Sequence, residues 1–251
     1  MKDDISLAQW ALVEEHQSGK IKTLDIPRIA RMDFDLNGIE LVNTLMEVPT
    51  QKYLDLLLRE ARSYQIKIVL IMVDDEGDPC ASTIKARKQF VINHKKWIDI
   101  AKYLGCKAIR TNCRGDVKTR PSDGLRWAID SYSSLLEYAD TANIEVLIEN
   151  HGGLSNNADW MVQLFERVDH SLFGSYPDWR EPGKEFDNYE YLKKVIPYAG
   201  GMSYRNQPTE ALTAAMIHTC KEEGYQGWYG IESNGRKAIK EGIRLLKKYL
   251  K

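Results

Sequence analysis

An acidic residue and a histidine stand at the end of one strongly apolar segment of this sequence. The segment "IEVLIENHGG" covers residues 144–153, and its apolar residues predict a buried strand that ends at Glu149, with His151 two residues further on. Burying a carboxylate without a partner costs several kcal/mol. Glu149 must therefore pair with a cation, bind a metal ion or have a shifted pKa that some reaction uses.

Polar residues also stand within or just after other apolar segments. In an extended strand, side chains two residues apart share a face, so Glu149 shares one with His151. The same spacing relates Arg110 to Asn112 in "CKAIRTN" and Ser203 to Arg205 in "AGGMSYR". These polar residues are Glu40, Arg110, Asn112, Asp178, Ser203, Arg205 and Glu232.

The elements that must position these residues alternate along the chain. Eight apolar segments predict strands, and stretches with apolar residues three and four apart predict a helix after each of them. Such alternation indicates a parallel sheet, and eight units predict an α/β fold, a single (β/α)8 TIM barrel that spans residues 1–251 as one domain. The predicted strands cover residues 5–12, 38–43, 66–73, 106–112, 144–150, 172–177, 199–205 and 227–233.

In such a barrel, catalytic groups collect where the carboxyl ends of the strands run into loops. Glu149, Asp178 and Glu232 would converge there from strands five, six and eight and would repel each other, and a divalent cation is the simplest remedy. Ion pairing is the alternative, with Arg110 as the rival partner of Glu149. For Glu40, a structural ion pair low in the barrel and a substrate contact both remain open.

Composition excludes several other classes of protein. Lys and Arg total 35 against 36 Asp and Glu, so the net charge of -1 argues against a nucleic-acid surface or an anionic membrane partner. The four cysteines lack CxxC spacing, which favours reduced thiols, and the start "MKDDISLAQW" does not resemble a signal peptide. We therefore expect a cytoplasmic protein, although a lost export signal and homo-oligomerisation both stay open.

Several motifs in order resemble the xylose isomerase-like TIM-barrel superfamily of sugar phosphate isomerases and epimerases. They are "SLAQW", "GIELVN", "NHKKWIDIAKYLGCKAIR", "IENHGGLS" and "GYQGWYGIES", which together span nearly the whole chain. The resemblance implies one divalent ion (Mn, Mg, Co or Zn) held by Glu149, Asp178 and Glu232 and by a strand-seven ligand that is usually His. Ser203 stands at that position here, Arg205 stands where many relatives have Lys, and "PDWRE" replaces the commoner "PDFGN".

The function that this resemblance implies is isomerisation or epimerisation of a keto sugar through an enediolate. Glu149 and Glu232 are the candidate base and acid, His151 is a reserve base, and Arg205 would neutralise oxyanion charge. The predicted substrate contacts are Arg205, Arg110, Asn112, Glu40, Trp10 and Trp179.

Three alternatives to this function remain. A dehydratase or lyase could use the same enediolate, and a catalytically retired barrel could bind a sugar without turning it over. An endonuclease IV-like enzyme is disfavoured, since that site needs several metal-ligand histidines and the chain has five histidines in total and no basic face.

Overall fold

Each of the eight predicted segments contains a strand in the computed structural model, which describes residues 4–180 and 187–251. The strands are β1 (Ile5–Ala8), β2 (Gly38–Val42), β3 (Lys67–Met72), β4 (Ala108–Asn112), β5 (Glu145–Glu149), β6 (Phe173–Tyr176), β7 (Met202–Tyr204) and β8 (Tyr229–Ile231).

The observed strands are shorter than the predicted segments, most clearly at β1. A 3-10 helix formed by Gln9–Leu12 follows β1, although the apolar run predicted a strand as far as residue 12. The buried Gln9 side chain accepts the backbone N–H of Val42 at 2.9 Å and so provides an acceptor where β1 turns away from β2. The prediction was wrong for these four residues because apolarity alone does not show where the backbone turns.

The strands are parallel and pair in the order β6-β5-β4-β3-β2-β1-β8-β7. Two isolated parallel bridges, Ser175–Ala199 and Asp178–Ser203, join the two ends of this order. The sheet is thus a nearly closed barrel, and the fold is the expected (β/α)8 TIM barrel. The second bridge also places Asp178 beside Ser203 across the β6–β7 seam.

Amphipathic helices surround the barrel, and several begin at a side-chain cap. Thr50, Thr83, Asn157, Asp187 and Thr209 each accept a backbone N–H from the first turn of the helix that follows. The helices are α1 (Val13–Gln17), α2 (Ile26–Phe34), α3 (Gln51–Ser63), α4 (Ile84–Leu104), α5 (Pro121–Ala142), α6 (Ala158–Val168), α7 (Asn188–Val195), α8 (Glu210–Glu222) and α9 (Arg236–Tyr249). None of the helices within the two described stretches is long and apolar enough to cross a membrane.

Alternation along the strands divides the buried residues into two layers. On β3, Ile71 packs outward into the large core against the helices, whereas Leu70 and Met72 belong to a small cluster inside the barrel. The remaining buried members of the inner cluster are Ala8, Val42, Ala108, Leu147 and Tyr176. Arg110 lies two residues after Ala108, and Glu149 lies two residues after Leu147. The same alternation therefore directs both polar side chains into the barrel mouth.

Candidate active site

A polar pocket of about 680 Å³ opens at the carboxyl ends of the strands. Its walls carry Asp74, Arg110, Glu149, Arg205 and Glu232, which come from β3, β4, β5, β7 and β8 or the residues just after them. This volume lies in the range of small-molecule sites, and the position is where TIM barrels carry their active sites. The pocket is therefore the candidate active site.

Arg110 organises one side of the pocket. The guanidinium group is almost fully buried, and its Nη1 atom donates to Oδ1 of Asp74 at 2.6 Å. Asn112 donates to the same oxygen at 2.7 Å, so the two residues predicted to share a strand face do so. Burial opposes the ionisation of Asp74, but the charge and hydrogen bonds of Arg110 outweigh it and lower the pKa of Asp74.

Glu149 lies against the other edge of the same guanidinium group. Nε of Arg110 is 2.9 Å from Oε2 of Glu149, yet neither atom forms a hydrogen bond with another described group. The contact is an ion pair whose N–H does not point at the oxygen. Burial raises the pKa of Glu149 to about 8, because the attraction of Arg110 offsets only part of the burial effect and Asp178 and Glu232 add repulsion.

Arg205 holds the opposite side of the pocket. Its Nε donates to Oδ1 of Asp178 at 2.7 Å, and its Nη2 donates to Oε1 of Glu232 at 2.6 Å. Ser203 shares this strand face, as predicted, and its hydroxyl donates to Oε2 of Glu232 at 2.6 Å. Burial raises the pKa of Glu232 even though Arg205 lowers it. One guanidinium group thus joins the carboxylates of residues that follow two different strands, β6 and β8.

His151 lines the pocket beside Arg114, which sequence reasoning did not single out. Nη2 of Arg114 contacts Nδ1 of His151, and because a guanidinium group can only donate, Nδ1 is the acceptor and Nε2 carries the proton. Burial and the nearby arginines lower the pKa of His151 to about 4, so the ring is neutral at pH 7. The signal for Arg114 was in the sequence, since it extends the two-residue spacing of Arg110 and Asn112.

Three of the predicted site residues, Asp178, Trp179 and Glu40, do not line this pocket. Asp178 is 2% exposed and connects to the pocket through Arg205. Trp179 packs outward in the core between strands and helices, at 5.2 Å from the ring of Tyr204, so it is not a wall of the pocket. That placement corrects the prediction, and its physical reason is that Trp179 follows Asp178 by one residue and therefore faces the opposite side of the chain.

Glu40 lies below the pocket, fully buried inside the barrel. Ser6 donates to its Oε1 at 2.7 Å, and the Tyr176 hydroxyl donates to Oε2. The partners that the described residues provide are hydroxyl groups rather than a cation, so Glu40 forms neither the predicted ion pair nor a wall of the pocket where a substrate contact was predicted. Tyr176 was missed because an aromatic residue in an apolar segment is indistinguishable from a core residue. Trp10, by contrast, does line the pocket and donates to Oδ2 of Asp74 at 3.3 Å.

Comparison with known proteins identifies the family. A family model described as xylose isomerase-like TIM barrel matches residues 28–196. The chain belongs to the xylose isomerase-like TIM barrel family. A comparison with curated protein sequences found no significant match.

Solved proteins of similar fold cover more than nine-tenths of the chain. A D-tagatose 3-epimerase-like protein has a TM-score of 0.80 at 17% identity over 98% of this chain and 97% of its own. The 3-keto-D-glucoside 4-epimerase of E. coli has a TM-score of 0.78 at 12% identity, covering 98% of this chain and 100% of its own. A xylose isomerase-like TIM barrel protein from Mycobacterium smegmatis, solved in complex with magnesium, has a TM-score of 0.68 at 16% identity over 91% and 89%.

The magnesium in that structure raises the question of whether the residues of this xylose isomerase-like barrel fit a divalent ion. Arg205 separates Asp178 from Glu232 and contacts both, and Arg180 lies 3.4 Å from the second oxygen of Asp178. Within residues 4–180 and 187–251, no three His, Cys, Asp or Glu side chains are arranged to hold a metal ion. In this arrangement Glu149, Asp178 and Glu232 are paired with guanidinium groups and do not fit a metal ion.

Proposed function

We propose that this chain is a carbohydrate isomerase or epimerase that moves a proton at the carbon next to a carbonyl group. The observation that carries the proposal is the position of Glu149 at the pocket, with an oxygen, Oε2, that accepts no hydrogen bond from the described residues. Glu232 and Arg205 line the same pocket. The epimerase descriptions of two proteins with this fold support a polyhydroxylated keto compound as the substrate.

Glu149 is the group that removes the proton in this proposal. The substrate C–H bond breaks, its electron pair forms the enediolate double bond, and the carbonyl oxygen becomes an oxyanion. A positioned base typically contributes about 10²–10⁴-fold to such a step. Delivery of a proton to the opposite face of the same carbon by a second carboxyl group, with the oxyanion returning to a carbonyl, gives epimerisation. Return of the proton to the neighbouring carbon, with transfer of the adjacent hydroxyl proton to the oxyanion, gives isomerisation.

The remaining pocket residues bind and orient the substrate. Ser203 and Arg205 orient Glu232 through both of its carboxylate oxygens, which makes Glu232 the second carboxyl group available for proton transfer. Neutral His151, with its proton on Nε2, is better suited to donate a hydrogen bond to a sugar oxygen than to act as a reserve base. Trp10 supplies an apolar surface of the kind that sugar rings contact.

Exchange of substrate hydrogen with solvent deuterium tests this function. Purified protein is incubated in deuterated water with a panel of keto sugars and inososes, and deuterium incorporation is followed by NMR and mass spectrometry. We expect incorporation into at least one compound and a loss of about 100-fold or more in Glu149→Gln, because an amide cannot accept the proton. Glu145→Gln is the matched control, since Glu145 lies at the other end of β5 and pairs with Lys107 at 2.8 Å.

The outcomes of this experiment separate the alternatives. Exchange that continues at the normal rate in Glu149→Gln would refute the assigned base. Binding of a sugar without exchange in any compound would identify the chain as a sugar-binding barrel and refute the enzymatic function. Exchange accompanied by loss of water from the substrate would identify a dehydratase that uses the same proton abstraction.

A further inference from the structure

We propose that Arg205 takes the place of a divalent metal ion in this barrel, so that the site binds its ligand and supports proton transfer without a bound metal. The chemical part of this inference rests on the proposed function. The structural part, that the carboxylates have a guanidinium group as their shared cation, does not.

Contacts at the site supply the first argument. A metal ion would have to collect oxygens from Glu149, Asp178 and Glu232, but Arg205 already lies between the last two, at 2.7 Å and 2.6 Å. The second oxygen of Glu232 accepts the Ser203 hydroxyl at 2.6 Å. An ion could reach these oxygens only if the guanidinium group left and both carboxylates lost charge-assisted hydrogen bonds.

The cations next to the carboxylates supply the second argument. Glu149 contacts Arg110, and Asp178 contacts Arg180 on the side away from Arg205. Each of the three carboxylates is therefore already in contact with a guanidinium group. A divalent ion among these carboxylates would lie beside Arg110, Arg180 and Arg205, and their positive charges would repel it.

The ligand position on β7 supplies the third argument. A serine hydroxyl is a poor ligand for a divalent ion in comparison with imidazole or carboxylate. Ser203 is also fully buried, and its hydroxyl is used as a donor to Glu232. The same strand therefore lacks a metal ligand at Ser203 and provides a permanent cation two residues later, at Arg205, which cannot lose its proton near neutral pH.

Arg205 retains the capacity to contact a substrate. Its three contacts with the described residues, to Asp178, to the Glu232 carboxylate and to the Glu232 carbonyl oxygen at 3.3 Å, use three of its five N–H bonds. The side chain is 28% exposed and lines the pocket. The remaining N–H bonds can donate to the oxygen that gains negative charge as the enediolate forms, the role that donors of an oxyanion hole have elsewhere.

Metal binding by the purified protein tests the inference without any substrate. Chelator-treated protein is titrated calorimetrically with Mn²⁺, Mg²⁺, Co²⁺ and Zn²⁺, and its melting temperature is measured with and without each ion. We expect no stoichiometric binding at micromolar concentrations and no rise in melting temperature. The double variant Ser203→His/Arg205→Ala supplies the missing ligand and removes the cation, so we expect it to bind at least about 10-fold more tightly than the wild type.

Two controls assign the effect to Arg205. Ser203→His alone retains the guanidinium group and should bind no better than the wild type. Arg244→Ala removes a surface guanidinium group that also bridges two carboxylates, Glu210 and Glu241, and should create no metal site. Circular dichroism establishes that the double variant is folded, and the wild-type titration remains decisive if it is not.

The results that overturn the inference differ from those that overturn the proposed function. Stoichiometric binding of one divalent ion by the wild type at micromolar concentration would refute the replacement by Arg205. Metal binding by Ser203→His that equals binding by the double variant would refute it as well. A wild type that binds no metal and exchanges no deuterium would leave the structural replacement standing and refute only the enzymatic function.

Discussion

Glu40 should make the stability of this barrel depend on pH in a direction opposite to that of an ordinary ion-paired carboxylate. Its side chain is fully buried, and its hydrogen bonds come from Ser6 and Tyr176. Burial raises the pKa of Glu40 from 4.5 to about 7, since these hydrogen bonds offset only part of the cost of burying the charge. The folded state therefore holds a proton on Glu40 between about pH 4.5 and 7, where the unfolded state releases it.

The size of the effect follows from this difference in pKa. Because the folded state binds more protons in this window, the Glu40 contribution to the free energy of unfolding is greatest below about pH 4.5 and is lost as pH rises through about 7. The shift corresponds to a loss of up to about 3 kcal/mol. Glu40→Gln replaces the carboxyl with a neutral group that can still accept one hydrogen bond and donate another, so it should escape this loss.

Urea denaturation of wild type and Glu40→Gln at pH 5, 6, 7 and 8 measures the effect. We expect the two free energies of unfolding to be similar at pH 5 and the variant to be more stable by up to about 3 kcal/mol at pH 8. Taking the difference between the two proteins removes the contributions of other titrating groups. Glu145→Gln, on a barrel strand but paired with Lys107 at the partly exposed end, is the control and should not show this rise. An equal difference at pH 5 and pH 8 would refute the reasoning.

Further substitutions examine the rest of the barrel interior. A Cβ atom on Gly230 would lie 2.2 Å from Oε2 of Glu40, so Gly230→Ala should lower the free energy of unfolding by about 1–3 kcal/mol in urea, and Glu40→Ala in the same chain should restore part of it. Absence of any restoration would mean that another contact causes the loss. Arg110→Met should destabilise the fold by about 3–5 kcal/mol in the same assay, because Asp74, which Arg110 keeps ionised, would lose its cation, and a loss below 1 kcal/mol would show that the pair contributes little. Arg205→Lys should lower kcat/KM on an exchanging sugar by an amount equivalent to about 1–3 kcal/mol of transition-state stabilisation, since an ammonium group lacks the planar guanidinium that donates to both carboxylates. Equal kcat/KM values would show that Arg205 makes no specific contribution to the transition state.

Strand number, parallel direction and the faces of the polar residues could be predicted from the sequence. Apolar periodicity is a local property, and a two-residue repeat is enough to place Arg110 with Asn112 and Ser203 with Arg205, as their shared partners confirm. Where each strand ends could not be predicted, because the end of β1 depends on a hydrogen bond between Gln9 and Val42, which lie 33 residues apart.

The tertiary structure alone decided how the buried charges are compensated. The sequence supplied three acids for one site and left a metal ion and an ion pair as alternatives. The choice depends on distances across the barrel, such as those from Arg205 to Asp178 and Glu232. These two residues follow different strands and lie 27 residues away in either direction along the chain. Barrel closure sets these distances, and electrostatic energy varies steeply with distance in a buried site. Spacing along the chain therefore identified the charged groups of this protein, whereas only the closed barrel determined which of them neutralise each other.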